Sequence, residues 1–376
     1  GQMEYYGSNS YWPNSIFYAR PVPDHPTRVV GIVSGHHGVP RMGELVLFDP
    51  ALGRHEASGV VQRIPGFGQP VEPVIRDKLV DDSWPRFLHP WPLSSKHFLV
   101  ACRPSPERPW GLYLADVFDN VVRLAEAPGA SLFEPIPLRA RTRPPVIPDR
   151  VDLDRRDATV FLGDVYRGPG LARVPRGTVK ALRVFAFHYG YQKMGGHKHV
   201  GIEGPWDVHR ILGTVPVHAD GSAAFQVPAN MPLAVQPLDA EGKALQVMRS
   251  WFTAMPGEVL SCVGCHESQN STPPVIDTLA ARQAPSQVVP WYGPERGFSF
   301  PRDVQPVLDE HCVGCHDGAT RPDLTRRDGG WRGFTPSYVE LHPFVRRPGP
   351  ESDYYLQEPL EWHADTSELI QMLARG

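Results

Sequence analysis

The sequence predicts a mainly β chain of short strands and frequent turns, with helix confined to its C-terminal quarter. Three observations carry this. Proline makes up 42 of the 376 residues, about 11% against a usual ~5%, and glycine adds 35. Proline breaks helix interiors, so a helical bundle or coiled coil is excluded. The apolar fraction of 41% and the aromatic fraction of 10% are enough to fill several small cores, so the turn-formers do not mean disorder. Apolar segments with period-two alternation recur at short intervals through the first two thirds. The length fits two or three domains.

Residues 1–140 read as short strands. Glu44–Phe48 is apolar and closes on Asp49-Pro50. His97–Cys102 and Trp110–Phe118 follow, then an Asp119-Asn120 turn and a return strand Val121–Leu124. The pattern Leu-x-Leu-x-Asp occurs at Leu45–Asp49 and again at Leu112–Asp116. Propeller blades repeat in this way and need about 40–45 residues each, so roughly three fit. The expectation is a partial β-propeller, with an ordinary antiparallel β domain as the alternative. Residues 134–150 hold five prolines and three arginines between Pro135 and Asp149 and read as an extended connector.

Residues 141–285 read as a β-sandwich-like middle domain. Thr159–Phe161 and Val179–Tyr189 supply early strands. Gly213–His218 and Ser222–Val227 around Asp220-Gly221 read as a hairpin, and Leu233–Leu238 with Ala244–Phe252 as a second. Residues 286–376 turn helical. Asp303 is the expected N-cap, Pro306 lies in the first turn, and Val304, Val307 and Leu308 form the apolar stripe. A last helix, Ser367–Arg375, shows Leu369, Met372 and Leu373 on one face. A helix closed by C-x-x-C-H resembles the opening of a class I cytochrome c. The expected fold is therefore a partial β-propeller, then a β-sandwich-like middle domain, then a small α-helical cytochrome c-like domain.

Four of the five cysteines lie in two identical pentapeptides, Cys262-Val263-Gly264-Cys265-His266 and Cys312-Val313-Gly314-Cys315-His316. A bare C-x-x-C also fits a zinc ribbon, a redox dithiol or a disulfide framework, but zinc ribbons separate their pairs by about 15–20 residues. Here 46 residues intervene. The histidine after each pair points to covalent c-type haem. The two thiols of each word form thioethers with one porphyrin edge, and the adjacent His supplies the proximal nitrogen to iron. Cys262, Cys265, Cys312 and Cys315 are thus the expected attachment residues for two c-type haems, with His266 and His316 as iron ligands. In bacteria haem of this kind is attached outside the cytoplasm, so the chain is expected to be periplasmic or otherwise extracytoplasmic. The first word is expected in a loop, Met255–Asn270.

Met255, His342 and His363 are the candidates for distal iron ligands. Met255 beside Trp251 and Phe252 also reads as a pocket residue, and Met372 reads as core. His311 adjoins Cys312 and is too near in sequence to reach the opposite haem face. His197 and His199 would share one face of a strand and suit a metal or the first haem. His36-His37 between glycines reads as a turn, and Cys102 as a buried strand residue. Glu267 and Asp317, each following a haem His, read as exposed acids near a haem edge.

Six stretches resemble the hydrazine synthase alpha subunit family: Phe133–Leu138, Arg143–Val151, Gly195–His197 with Gly204–Asp207, Gly213–Val217, Ser250–His266 and Asp303–His316. The resemblance runs from Tyr6 onward. It implies a propeller, a β-rich middle domain with one c-haem, and a C-terminal cytochrome c domain with another, with this chain entering inside the propeller. The start Gly1-Gln2-Met3 accordingly reads as a processed or excised piece. After His266 come Glu267, Ser268, Gln269 and Asn270, with no tyrosine before Tyr292. The family's tyrosine oxygen ligand has no counterpart there.

Three functions fit these observations. The first is a dihaem c-type cytochrome that passes electrons to a redox partner protein. The second is a multihaem enzyme acting on small nitrogen compounds at the first haem, within a multi-subunit complex as the resemblance implies. The third is a zinc-stapled β-propeller that binds other proteins. A net charge of −3 gives no basic field for nucleic acid, and no apolar run reaches the ~18 residues of a membrane span.

Overall fold

The computed structural model describes residues 4–5, 14–36, 40–53, 55–71, 77–188, 200–202, 208–248, 250–266, 276–319, 321–346 and 358–375. The chain is mainly β and forms two compact units, Gly1–Pro145 and Val146–Gly376.

In the first unit the strands are β1 (Glu4–Tyr5), β2 (Ile16–Pro21), β3 (Val29–Val33), β4 (Glu44–Phe48), β5 (His55–Glu56), β6 (Val60–Ile64), β7 (Arg86–Pro92), β8 (His97–Arg103), β9 (Gly111–Asp116) and β10 (Val121–Ala125). Two antiparallel four-stranded meanders result, β2-β3-β4-β6 and β7-β8-β9-β10, while β1 and β5 form a small parallel pair. Period-two alternation explains why β4 reads as an unbroken apolar run. Leu45 and Leu47 enter a core with Ile32, Phe87, Phe98 and Val100, whereas Val46 and Phe48 pack with Val33 on the other face. Cys102 is fully buried on β8, and burial pushes its thiol up to about 12.

The two sheets share local features. The Leu-x-Leu-x-Asp pattern falls on the third strand of each, with Asp49 and Asp116 turning the chain through side-chain acceptors for Ala51 and for Phe118 and Asn120. The first strand of each also breaks register, at Tyr18 and at His89, both at positive φ. A bulge of this kind re-aims one side chain and increases the local twist.

The second unit contains β11 (Asp157–Leu162), β12 (Ala181–His188), β13 (Val208–Pro216), β14 (Ala223–Pro228), β15 (Leu233–Leu238) and β16 (Val259–Cys262). They form two three-stranded sheets, β14-β11-β16 and β13-β12-β15. Val160, Leu162, Phe225 and Val227 of one share a core with Leu182, Val184, Leu212, Val215 and Leu233 of the other. The hairpin expected at Gly213–Val227 does not form. The turn is present, with His218 N–H donating to Ser222 O at 2.8 Å, but β13 and β14 enter different sheets. In a hairpin Val215 and Phe225 would lie side by side on one sheet; here they face each other across the core. The second expected hairpin is reduced to two bridges, Leu238 to Ala244 and Leu233 to Phe252.

The helices are α1 (Gln305–His311), α2 (Pro336–Leu341) and α3 (Glu368–Arg375). A π-helical turn, Phe300–Val304, precedes α1, so Asp303 lies within that turn and is not an N-cap. Its carboxylate accepts the Ser299 N–H at 2.7 Å and pairs with Arg302 and Arg296. These bonds, Arg302 foremost, hold it well below the ordinary carboxylate range. Leu308, Leu324 and Leu341 form a small core with Phe300, Val304, Cys312, Val313 and Leu369 around them. Val307, Met372 and Leu373, expected on apolar stripes, stay 53%, 39% and 65% exposed.

Phe225 fills the center of the middle core, so Phe225→Ala should lower the unfolding free energy of the second unit by about 3–5 kcal/mol. Chemical denaturation followed by tryptophan fluorescence measures it, and a loss below about 1 kcal/mol would contradict this core assignment.

Candidate haem-attachment sites

The segment Met255–Asn270, expected as a loop, contains the short strand β16, which ends on Cys262, while Val263–His266 follow outside any strand. β16 pairs in parallel with β11, placing Cys262 opposite Leu162. Parallel strands leave a sheet at the same end, so the segments following them run together. Gly163 N–H donates to Cys262 O at 2.9 Å, Asp164 N–H to Val263 O at 3.1 Å and Gly170 N–H to Cys265 O at 3.1 Å. The approach is too close for side chains. A Cβ on Gly264 would sit 2.2 Å from the Arg167 carbonyl oxygen, and one on Gly170 would meet Cys265 O at 2.5 Å and Sγ at 2.9 Å. Cys262 and Cys265 border the middle core, while His266 is exposed at φ 61°. Buried Gln246 anchors the same loop by donating to Gly170 O at 2.8 Å.

The second C-x-x-C-H is delivered by α1. Cys312 caps that helix, its N–H donating to Leu308 O at 2.9 Å. The motif turns on itself, with Cys315 N–H and His316 N–H both reaching Cys312 O. His316 Nδ1 lies 3.0 Å from Pro322 O, a bond that assigns the ring proton to Nδ1 and fixes the ring. The loop is closed further by Leu324 N–H, which donates to His316 O at 3.1 Å. A metal-binding histidine is commonly oriented in this way, with one nitrogen bonded to a backbone carbonyl and the other presented to the metal. Gln305, 1% exposed, supports the loop: Nε2 donates to Leu324 O and Asp309, and Oε1 accepts from Ser337.

The cysteines form no disulfide. Nor do the two C-x-x-C pairs converge, because among the described residues no three of His, Cys, Asp and Glu are grouped to hold a metal ion.

The other sequence candidates are dispersed. Met255 lies in an exposed turn, its N–H donating to Glu258 Oε2 at 2.7 Å. His342 Nε2 is 3.1 Å from Ile202 O. His363 Nε2 is 3.0 Å from Asp239 Oδ2, and its Nδ1 accepts the Asp365 N–H at 3.3 Å. His311 is exposed beside Glu310, Asp317 accepts Ala319 N–H in an exposed turn, and Tyr292 is exposed against Trp291. His37, His197, His199 and Glu267 lie outside the described residues. Sequence reasoning missed Gln246, Gln305 and the carbonyl of Pro322, none of which carries a motif of its own.

Residues 177–267 match the family model described as the hydrazine synthase alpha subunit middle domain. The chain is similar to the hydrazine synthase alpha subunit. Against hydrazine synthase subunit alpha of Kuenenia stuttgartiensis it is 24% identical over 217 residues, covering 40% of this chain and 27% of the relative. The solved Kuenenia stuttgartiensis hydrazine synthase superposes with a TM-score of 0.65 at 16% identity, over 91% of this chain and 53% of that one. The chain thus spans about half of the solved relative, and the superposition establishes likeness of fold. The middle-domain match ends one residue beyond His266, so the first pentapeptide lies inside the recognized domain.

The two pentapeptides are identical in sequence but not in surroundings. Gly314 has open space where a Cβ would be. Gly264→Ala should cost about 1–3 kcal/mol through overpacking, whereas Gly314→Ala should stay within about 0.5 kcal/mol of the parent. Thermal denaturation of both variants tests this, and equal losses would contradict the difference in packing.

Proposed function

We propose that this chain is a dihaem c-type cytochrome of the hydrazine synthase alpha-like kind that transfers electrons outside the cytoplasm. The observation that carries the reading is the bond from His316 Nδ1 to the Pro322 carbonyl beside Cys312 and Cys315. It orients one nitrogen and leaves the chemistry of the other suited to iron. Cys262 and Cys265 would hold one haem with His266 as ligand; Cys312 and Cys315 would hold the other with His316. When bound, each haem supplies a one-electron couple whose potential depends on axial ligands and burial.

The residues present fit the group at both sites. At the first, glycines at 168, 170 and 264 let the backbone close around Cys265. At the second, the core of three leucines is thin for an independent domain, and Val307, Met372 and Leu373 remain uncovered. A covalent porphyrin would supply apolar surface that this segment lacks, as in a cytochrome c-like domain. In the first unit, two meanders with the same third-strand pattern and the same first-strand bulge support the partial-propeller reading. A redox partner protein follows from the electron-transfer reading. Because the relative is named as a subunit, membership in a multi-subunit complex is part of the proposal. Among the described residues no helix is long and apolar enough to cross a membrane.

A second reading, catalysis on small nitrogen compounds at the first haem, is favored by the position of the first pentapeptide within the matched middle domain. The two readings differ in whether that iron binds an external ligand.

Produced in a host that matures c-type cytochromes, the chain should give two haems by pyridine haemochrome. Cys262→Ala/Cys265→Ala and Cys312→Ala/Cys315→Ala should each remove one. Absence of haem from the parent chain would defeat both haem readings. Carbon monoxide added to the ferrous protein separates them: a shifted Soret band supports an open catalytic iron, and an unshifted one supports electron transfer alone.

A further inference from the structure

Within the second unit, the C-terminal segment is fastened to the middle domain by two polar seams. At the first, Tyr338 on α2 and His342 in the helical turn that continues it, four residues apart and so on one side, grip both ends of one residue. Ile202 N–H donates to Tyr338 Oη at 3.1 Å, and His342 Nε2 bonds Ile202 O at 3.1 Å. At the second, the turn after β15 meets the strap 358–366. The Asp239 carboxylate accepts the N–H groups of Glu241 and Lys243 at 3.0 and 2.8 Å and the Nε2 of His363 at 3.0 Å. Lys243 Nζ reaches Asp365 Oδ1 at 2.7 Å, and Leu360 N–H donates to Leu245 O at 2.9 Å. Arg173 pairs with Glu358 farther along the strap.

The His363 side chain is 12% exposed and its Asp239 partner 13%. A charge-assisted bond shielded to this degree is worth more than a surface pair. Burial raises the Asp239 carboxyl, but the bonds from His363, Lys243 and Glu241 outweigh it and hold the group below its ordinary value. Both ring nitrogens of His363 are engaged: Nε2–H donates to Asp239 and Nδ1 accepts from Asp365. His316 contrasts with this, its named bond lying on Nδ1 alone.

We propose that His342 and His363 are positioning residues that lock the C-terminal segment onto the middle domain and so fix the separation of the two C-x-x-C-H sites. They are latch residues and not distal ligands. The proposal rests on the dihaem reading. Its physical basis is that electron tunneling falls exponentially with separation, so two carriers on one chain need a rigid frame. The three-leucine core contributes little rigidity, and the oriented hydrogen bonds of the seams contribute the rest.

The test uses the full chain with both haems and three forms: parent, His342→Ala/His363→Ala, and His342→Gln/His363→Gln. Glutamine retains an amide donor near the Nε2 position. The alanine form should keep two haems and unchanged EPR and optical spin states at both irons. Its peptides covering 358–375 should exchange amide hydrogens about tenfold faster or more, the equivalent of one lost charged hydrogen bond. Electron equilibration between the haems after flash reduction should slow, and the glutamine form should recover toward the parent. A changed spin state at either iron in the alanine form would make one of these histidines a ligand and overturn the proposal. Unchanged exchange together with unchanged equilibration would also overturn it. A parent haem count below two defeats the dihaem reading and this proposal with it, whereas a full count with an unaffected alanine form defeats this proposal alone.

Discussion

The parallel pairing of β11 with β16 is the constraint on which the middle domain is organized. Parallel neighbors cannot be joined by a tight turn, so the chain must travel through the rest of the domain before returning. That excursion supplies β12 to β15 and the second sheet of the core. The return strand ends on Cys262, in register with Leu162. Everything at the first site follows from this register. The exit segments lie side by side, the backbone of residues 163–170 bonds to that of 262–265, and glycine is required wherever the two approach most closely. A shift of one residue would turn Val160 and Leu162 away from the core, so burial of the sheet also fixes where the cysteines emerge.

The second site reaches the same five-residue word by a local route. α1 carries Cys312 at its C-terminal end, and the turn 312–316 closes through bonds to its own helix. Only the loop to Pro322 and Leu324 comes from farther away, and Gln305 pins it from within α1. The long-range site draws on a seventeen-residue buried core and the local one on three leucines. Identical sequence therefore does not mean identical mechanical support: one motif is an extension of a sheet and the other of a short helix.

Much of this was legible from residue order. β4, β8, β10 and the turns after Asp49 and Asp116 follow from alternation and from side chains that hydrogen-bond their own backbone. The two C-x-x-C-H pentapeptides are legible because each is a contiguous word in the sequence. The misreadings have physical causes. Asp220-Gly221 makes the same turn whether the flanking strands join one sheet or cross between two, so local chemistry cannot separate a hairpin from a corner. Val259–Cys262 is a short edge strand with only partly buried side chains, and it lacks the apolar signal of β4. His342 and His363 stand out in the sequence only as histidines downstream of the second C-x-x-C-H. Their bonding partners, Ile202 and Asp239, lie 140 and 124 residues away, beyond the range of any local pattern.

The polar seams and the apolar cores divide the work of the second unit. Hydrophobic burial is nondirectional and supplies most of the free energy, but it tolerates sliding of one surface over another. A hydrogen bond to a particular carbonyl or carboxylate has a narrow geometry and costs free energy when displaced and left unmet. Where a core is large, as between the two sheets, interdigitated side chains define position without such help. Where it is small, as around Leu308, Leu324 and Leu341, position must come from directional contacts. The density of charged and histidine-mediated bonds along α2 and the strap 358–366 is what a segment with so little apolar surface requires to keep one orientation.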